Sequence, residues 1–274
     1  MVSVGNGEVV CEGIAIKNSD YCFTTAKGKS ATITLTPEKG YRIASVKVDN
    51  IDVTSNVSDG QYTISDIKDD VSVEVVFGDA NYLYATSTMV CRNGTSYVPI
   101  GLINDKSVTA IQFDMYMPDG ITLKDAVLSN RKSDDHNIST NSIVDGVHIT
   151  AFSTTSSAFV GGSGDVIGLQ FNIEKDMEVG DIAVMLKNIV LTTIDNTKLN
   201  LKDFTLTLTV SEIYSGDADG DGAIDVNDVT STINHILSKP TNSFIKEAAD
   251  VDGDGVIDVN DVQGIIDIAL GKRK

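Results

Sequence analysis

Tryptophan is absent from this 274-residue chain, and histidine and cysteine each occur three times. Without Trp, the largest aromatic platform for stacking on a flat ligand is missing. His136, His148 and His235 stand apart, with no HxxxH or HExxH spacing, and no Cys/His pattern suggests zinc. Three cysteines are too few for a disulfide framework. Cys11 and Cys22 could pair if they lie on neighbouring strands, or all three could remain reduced thiols, and the sequence leaves both open. Basic residues are also scarce: 21 Lys and Arg face 39 Asp and Glu, giving a net charge of −18. Such a chain repels nucleic acid and anionic membrane surfaces. No apolar run reaches the roughly eighteen residues needed for a membrane-spanning helix. The opening Met1-Val2-Ser3-Val4-Gly5 has no basic segment leading into an apolar stretch. Because a strand is expected almost at once, removal of an export signal is favoured over a cytoplasmic protein.

Signatures of catalysis are equally sparse. There is no GxSxG elbow, and Gly161-Gly162-Ser163-Gly164 reads as a hairpin turn rather than a phosphate cradle. Glycoside hydrolysis would need two carboxylates opposed across a cleft, and two small sandwiches leave little chain to build one. The expectation is a noncatalytic protein.

What is present is β-rich. Hydrophobic residues make up 41 % of the chain, enough for real cores. In residues 1–79, Ala31 to Thr36 alternates apolar and polar, Pro37-Glu38-Lys39-Gly40 supplies a turn, and Tyr41 to Val48 forms the next strand. Asp49 to Asp52 reads as a second turn and Val71 to Phe77 as the closing strand. The run Thr34 to Tyr41, with Ser45 to Asp49 and the closing strand, resembles the internalin-type B-repeat domains of bacterial surface proteins. That resemblance implies a spacer or adhesive module.

Residues 80–213 alternate again. Ile111, Phe113, Met115 and Met117 share one face, as do Ile167, Leu169, Phe171 and Ile173, and then Phe204, Leu206, Leu208 and Val210. Regularly spaced strands broken by Gly-containing turns predict a two-sheet sandwich. The stretches Val108 to Ile121, His148 to Phe152 and Gly164 to Leu169 resemble cohesin and carbohydrate-binding-like sandwiches. A cohesin-like domain would receive a dockerin on the polar face around Gln112, Asp114 and Tyr116, which admits self-association. A carbohydrate-binding domain would instead offer Tyr82, Tyr84, Tyr97 or Tyr116 to a polysaccharide.

The C-terminal 61 residues, 214–274, carry twelve acidic and five basic side chains, and ten of the twelve acids fall in two short loops. The first loop runs from Asp217 to Asp228 and the second from Asp250 to Asp261. They are offset by 33 residues and differ at two of their twelve positions. Each fits the twelve-residue calcium loop of an EF-hand. Ca²⁺ wants six to eight oxygens at short range. Asp217, Asp219 and Asp221, and in the second loop Asp250, Asp252 and Asp254, supply carboxylates at the first, third and fifth positions. Gly222 and Gly255 allow the sharp turn around the ion. Ala223 and Val256 offer a carbonyl, Asp225 and Asp258 fill the ninth position, and Asp228 and Asp261 close the shell at the twelfth. Without a cation each loop crowds five carboxylates, so two Ca²⁺ ions should be coupled to folding.

A strand rather than a helix is expected before Asp217. Helices are expected after each loop, from Val226 to Leu237 (ending before Ser238-Lys239-Pro240) and from Val259 to Leu270, with a short linking helix within Ser243 to Ala249. This duplicated loop–helix pattern resembles the dockerin family over its whole length. The resemblance implies a cohesin-type protein partner and an extracellular or cell-surface bacterial setting, such as the cellulosome and other polysaccharide-degrading assemblies. It places the recognition positions on Val226, Asn227, Ile233 and Asn234, and on Val259, Asn260, Ile266 and Asp267. These are not the small hydroxyl and basic residues of the best-known dockerins, which implies an unusually apolar partner surface or lost binding. The helical spacing of Val229, Ile233, Ile236 and Leu237, and of Val262, Ile265, Ile266 and Leu270, also fits core packing between the helices. Both readings of the isoleucines stay open. Ile224 and Ile257 are expected to pack between the loops.

The expected fold class is therefore mainly β: two β-sandwich-type domains (1–79 and 80–213) followed by a small all-α dockerin module (214–274). The function expected is a noncatalytic adaptor, with a polysaccharide-binding protein and a surface adhesin as alternatives.

Overall fold

The computed structural model describes residues 1–85, 87–239 and 243–272. They fall into two compact units, Met1–Asn81 and Tyr82–Lys274.

In the first unit, eight strands form two four-stranded sheets. They are β1 (Val2–Val4), β2 (Gly7–Cys11), β3 (Ile14–Ile16), β4 (Lys29–Pro37), β5 (Tyr41–Val48), β6 (Ile51–Asp52), β7 (Gln61–Ile67) and β8 (Val73–Asp79). One sheet has the order β1-β8-β5-β6 and the other β3-β2-β4-β7. The alternation along β4 buries Ile33 and Leu35 against Val9, Val46, Val75 and Phe77. The second turn is tighter than expected. Ile51 and Asp52 pair with Val48 and Lys47, so only Asp49 and Asn50 turn the chain, at φ 49° and 65°. That is a two-residue hairpin loop with both central residues left-handed, which Asp and Asn tolerate. All three cysteines are free thiols, with Cys11 and Cys91 buried and Cys22 exposed.

The second unit contains β9 (Tyr82–Ala85), β10 (Met89–Arg92), β11 (Gly94–Ile103), β12 (Val108–Tyr116), β13 (Ile121–Leu128), β14 (His136–Ile143), β15 (Gly146–Ser153), β16 (Asp165–Ile173), β17 (Gly180–Thr193), β18 (Lys198–Asn200) and β19 (Phe204–Tyr214). A large sheet of order β10-β19-β17-β12-β15-β14, with β18 on β17, faces a four-stranded sheet of order β13-β16-β11-β9. The apolar sets expected from period-two alternation meet between them. Ile111, Phe113, Met115, Leu206, Leu208 and Val210 come from the large sheet, and Ile167, Leu169, Phe171 and Ile173 from the small one. Burying that many large side chains at roughly 1.5–3 kcal/mol each supplies the drive for the sandwich.

β19 runs to Tyr214 and passes directly into the acidic segment, which holds α1 (Val226–Ile236), α2 (Lys246–Ala249) and α3 (Val259–Ala269). The expected long helices follow the two loops, and the linking helix is confined to four residues. Pro240 lies outside the described residues. Among the described residues no helix is long and apolar enough to cross a membrane. The chain is mainly β, with sandwich-type β units and a small helical C-terminal segment.

Candidate calcium-binding module

Each loop is shaped by its own carboxylates. In the first, Asp217 accepts from the Gly220 and Gly222 amides at 2.9 and 3.1 Å, and Asp221 accepts from the Ala223 amide at 2.8 Å. In the second, Asp250 accepts from the Gly253, Asp254 and Gly255 amides at 2.8, 3.1 and 2.9 Å, and Asp254 accepts from Val256 at 2.8 Å. The turn bends back through left-handed glycines, with φ 89° at Gly222 and 85° at Gly255, a backbone state that costs other residues about 1–2 kcal/mol. The result is convergence. Asp217, Asp219 and Asp221 each bring one oxygen within 4.8 Å of the others, and Asp250, Asp252 and Asp254 do the same.

The ninth and twelfth positions have a second task that the motif alone did not suggest. Asp225 and Asp258 are the N-caps of α1 and α3, accepting from the Asn227 and Asn260 amides, while Asp228 and Asp261 donate nothing and accept from the N-cap amides in return. These are reciprocal capping boxes, with Asp at the third helical position. Asp228 also accepts from the Asp219 amide at 3.1 Å, and Asp261 from Val251 and Asp252 at 3.0 and 3.3 Å. One buried carboxylate thus ties the loop's third position to its exit helix. The signal was legible, since Asp-x-x-Asp stands at the end of both loops.

The electrostatics call for a cation. Burial raises the carboxyl pKa of Asp219, Asp228, Asp252 and Asp261, and neighbouring aspartates add to the effect. Burial and then Asp261 push Asp250 up to about 6. A divalent ion would reverse both causes, replacing lost hydration with direct coordination and repulsion with attraction. Hard oxygen donors, their convergence and uncompensated negative charge all fit calcium.

The positions expected for partner binding divide by exposure. Val226 and Val259 are 70 % and 72 % exposed, Ile233 is 40 % exposed, and Asn227 and Asn260 are exposed; Asn234, Ile266 and Asp267 are half-buried. The apolar residues at helical spacing divide between surface and core. Ile233, Ile236, Leu237 and Leu270 are exposed, whereas Ile265 is fully buried, with Val229, Ile224, Ile257 and Ile268 packed around it, Ala218, Ala249 and Val251. The buried faces of α1 and α3 instead hold Ser231, Thr232 and Gly264. Ser231 Oγ donates to the Ser243 carbonyl at 3.4 Å, so this face of α1 packs on the linking segment.

The module is seated on the small sheet of the sandwich. A Cβ on Gly253 would stand 2.3 Å from Thr95 Cγ2, and one on Gly255 would stand 2.8 Å from Tyr97 Cδ1. Lys124 Nζ donates to the Asp252 carbonyl at 2.9 Å. The Tyr97 ring lies also over Gly168, and Tyr84 over Gly101. Both rings are half-buried, each with one face packed on a glycine of the small sheet. On the outer face of the large sheet, histidine isolation in sequence does not persist in space. His148 Nδ1 meets Asp114 Oδ1 at 2.6 Å, and Asn188 Nδ2 donates to Asp114 Oδ2 at 2.7 Å. This cluster joins three strands, which no local spacing could reveal.

Residues 215–267 match the family model for the dockerin type I domain. Among solved structures, the chain is similar to a cohesin module of a Clostridium perfringens family 33 glycoside hydrolase, at 12 % identity and a TM-score of 0.41, covering 48 % of this chain and 97 % of that one. It is also similar to the sixth cohesin of Acetivibrio cellulolyticus scaffoldin B, solved with a dockerin, at 15 % identity and a TM-score of 0.42, covering 48 % and 99 %. A non-cellulosomal cohesin from the archaeon Archaeoglobus fulgidus gives 14 % identity and 0.40, covering 48 % and 91 %. No curated protein matches the chain.

Proposed function

We propose that residues 214–274 are a dockerin that binds two Ca²⁺ ions and attaches the chain to a cohesin-type partner. The observation that carries this reading is the duplicated loop–helix unit, with three carboxylates converging in each copy, inside a segment that matches the dockerin family. Dockerin domains bind calcium, and this donor set suits it. Asp217, Asp219, Asp221, Asp225 and Asp228 hold the first ion together with the Ala223 carbonyl. Asp250, Asp252, Asp254, Asp258, Asp261 and the Val256 carbonyl hold the second. The partner docks on the exposed helix faces carrying Val226, Asn227 and Ile233, and Val259 and Asn260, with Asn234, Ile266 and Asp267 at their edge.

The chain acts as a noncatalytic extracellular adaptor of three modules, 1–79, 80–213 and 214–274, in a cell-surface or polysaccharide-degrading assembly. Its sandwich offers the face around Gln112, Asp114 and Tyr116 to a second dockerin, since the chain's own module is seated on the opposite sheet. Calcium titration calorimetry of the full chain tests the reading, with a melt in EDTA alongside. Two Ca²⁺ per chain and a lower melting temperature in EDTA support it. Absence of calcium heat refutes it.

A further inference from the structure

The two loops are almost the same in sequence and differ sharply in surroundings. In the first, a Cβ on Gly222 would meet nothing within 4 Å, and one on Gly220 would meet only Ile245, a residue of the module itself. Both glycines are exposed. In the second, Gly253 is buried against Thr95 and Gly255 is half-buried against Tyr97, both on the outer face of β11. A cation from the sandwich also reaches the second loop. Lys124, on edge strand β13, donates to the Asp252 carbonyl and, at 3.5 Å, to Thr95 Oγ1, which itself donates to Asn172 Oδ1 at 3.0 Å. Lys124 sits where the β13–β16 register shifts between Leu123 and Asp125, so a bulge aims it at the loop. No counterpart of this bond touches the first loop among the described residues.

We infer that Thr95, Tyr97 and Lys124 of the sandwich are structural components of the second calcium site, so that calcium bound there locks the C-terminal module onto the sandwich, whereas the first site orders only its own repeat. The inference rests on the calcium reading above. Its physical basis is that the two glycines whose amides are tied to Asp250 turn their bare Cα side to Thr95 and Tyr97 of β11. A loop collapsed around an ion presents these glycines as a flat surface, and a loop opened by carboxylate repulsion does not. The two near-identical sites therefore have different tasks. The first sets the shape of the exposed helix α1, and the second sets the orientation of the whole module on the sandwich.

Hydrogen exchange of the full chain tests this at the amides of β13 around Lys124, which lie on an edge strand at a bulge. Calcium should slow their exchange at least tenfold in the native chain and in D217N/D219N, and leave it unchanged in D250N/D252N. As a second measurement, Tyr97→Ala should weaken calcium at least tenfold in the D217N/D219N chain and leave affinity unchanged in D250N/D252N. Equal protection from either loop, or a Tyr97→Ala effect in neither background, overturns the inference while two bound ions keep the calcium reading intact. A native chain that binds no calcium removes the calcium reading itself.

Discussion

Gly222 and Gly255 occupy the same position in the two loops, with φ values of 89° and 85°, and so form an internally controlled pair. Replacing either by Ala forces a side chain into the left-handed region at about 1–2 kcal/mol. At Gly222 that is the whole penalty, because the new methyl meets nothing within 4 Å. At Gly255 the methyl would stand 2.8, 2.9 and 3.1 Å from Tyr97 Cδ1, Cε1 and Cγ. Relieving that clash means moving the ring off Gly168 or lifting the loop from the sheet, an overpacking cost of about 1–3 kcal/mol. If ion binding and loop folding are one event, each penalty is subtracted from calcium affinity. With a tenfold change per 1.4 kcal/mol, Gly222→Ala should weaken the first site ~5- to 30-fold and Gly255→Ala the second by ~30-fold or more. Calorimetric titration of the full-length variants measures both. Equal losses would refute the argument, because they would mean that the second loop is not pressed on the sandwich when it holds its ion.

Arg131 is buried, and its guanidinium donates to the carbonyls of Val160, Leu102, Gly164 and Gly161 and to Asn104 Oδ1. Arg131→Lys keeps the charge but loses the fork, and should cost about 2–4 kcal/mol in urea unfolding of the sandwich. A thiol-labelling time course should mark Cys22 in the native chain and reach Cys11 and Cys91 only on unfolding. Both are buried, and burial pushes the Cys91 thiol up to about 11; three thiols titrating in unreduced denaturant would exclude a disulfide between Cys11 and Cys22. Hydrogen bonds from Asn188 and then His148 hold the Asp114 carboxyl below its ordinary value of 3.8. The folded value is the lower one, so this stabilisation is present above pH about 3.8 and disappears as pH falls through the folded value. Asp114→Asn should therefore cost about 1 kcal/mol at neutral pH and flatten the acid limb of the stability curve.

Much of this was legible because it depends on local pattern. Period-two alternation along β12, β16 and β19 identified the residues that fill the sandwich, since a strand must turn one set of side chains inward. The loops were legible because a hard ion dictates oxygens at fixed spacing. The helices were only half legible, because apolar spacing fits core packing and an exposed binding face equally well. A helix face can be apolar because a partner covers it, and periodicity cannot tell an intramolecular neighbour from an external one. Ser231, Thr232 and Gly264 are buried on these helices, and apolar periodicity does not count such residues. The Asp114–His148–Asn188 cluster was illegible for a different reason, as its members are brought together by strand pairing across 34 and 74 positions.

The same distinction explains how a duplicated sequence yields two unequal sites. Duplication copies everything that a twelve-residue segment decides for itself, including ligand spacing, left-handed glycines and capping boxes. It cannot copy what lies outside the segment, and only one loop can occupy the single surface formed by Thr95, Tyr97 and Lys124. Once the second loop is seated there, Gly253 and Gly255 carry two constraints. They must adopt positive φ for the loop and lack a Cβ for the sheet. Gly220 and Gly222 need positive φ in the same way, but the sandwich presses on neither. Other residues should therefore be tolerated at Gly222 more readily than at Gly255, with Asn, the side chain most at ease in the left-handed region, the first substitute to fit.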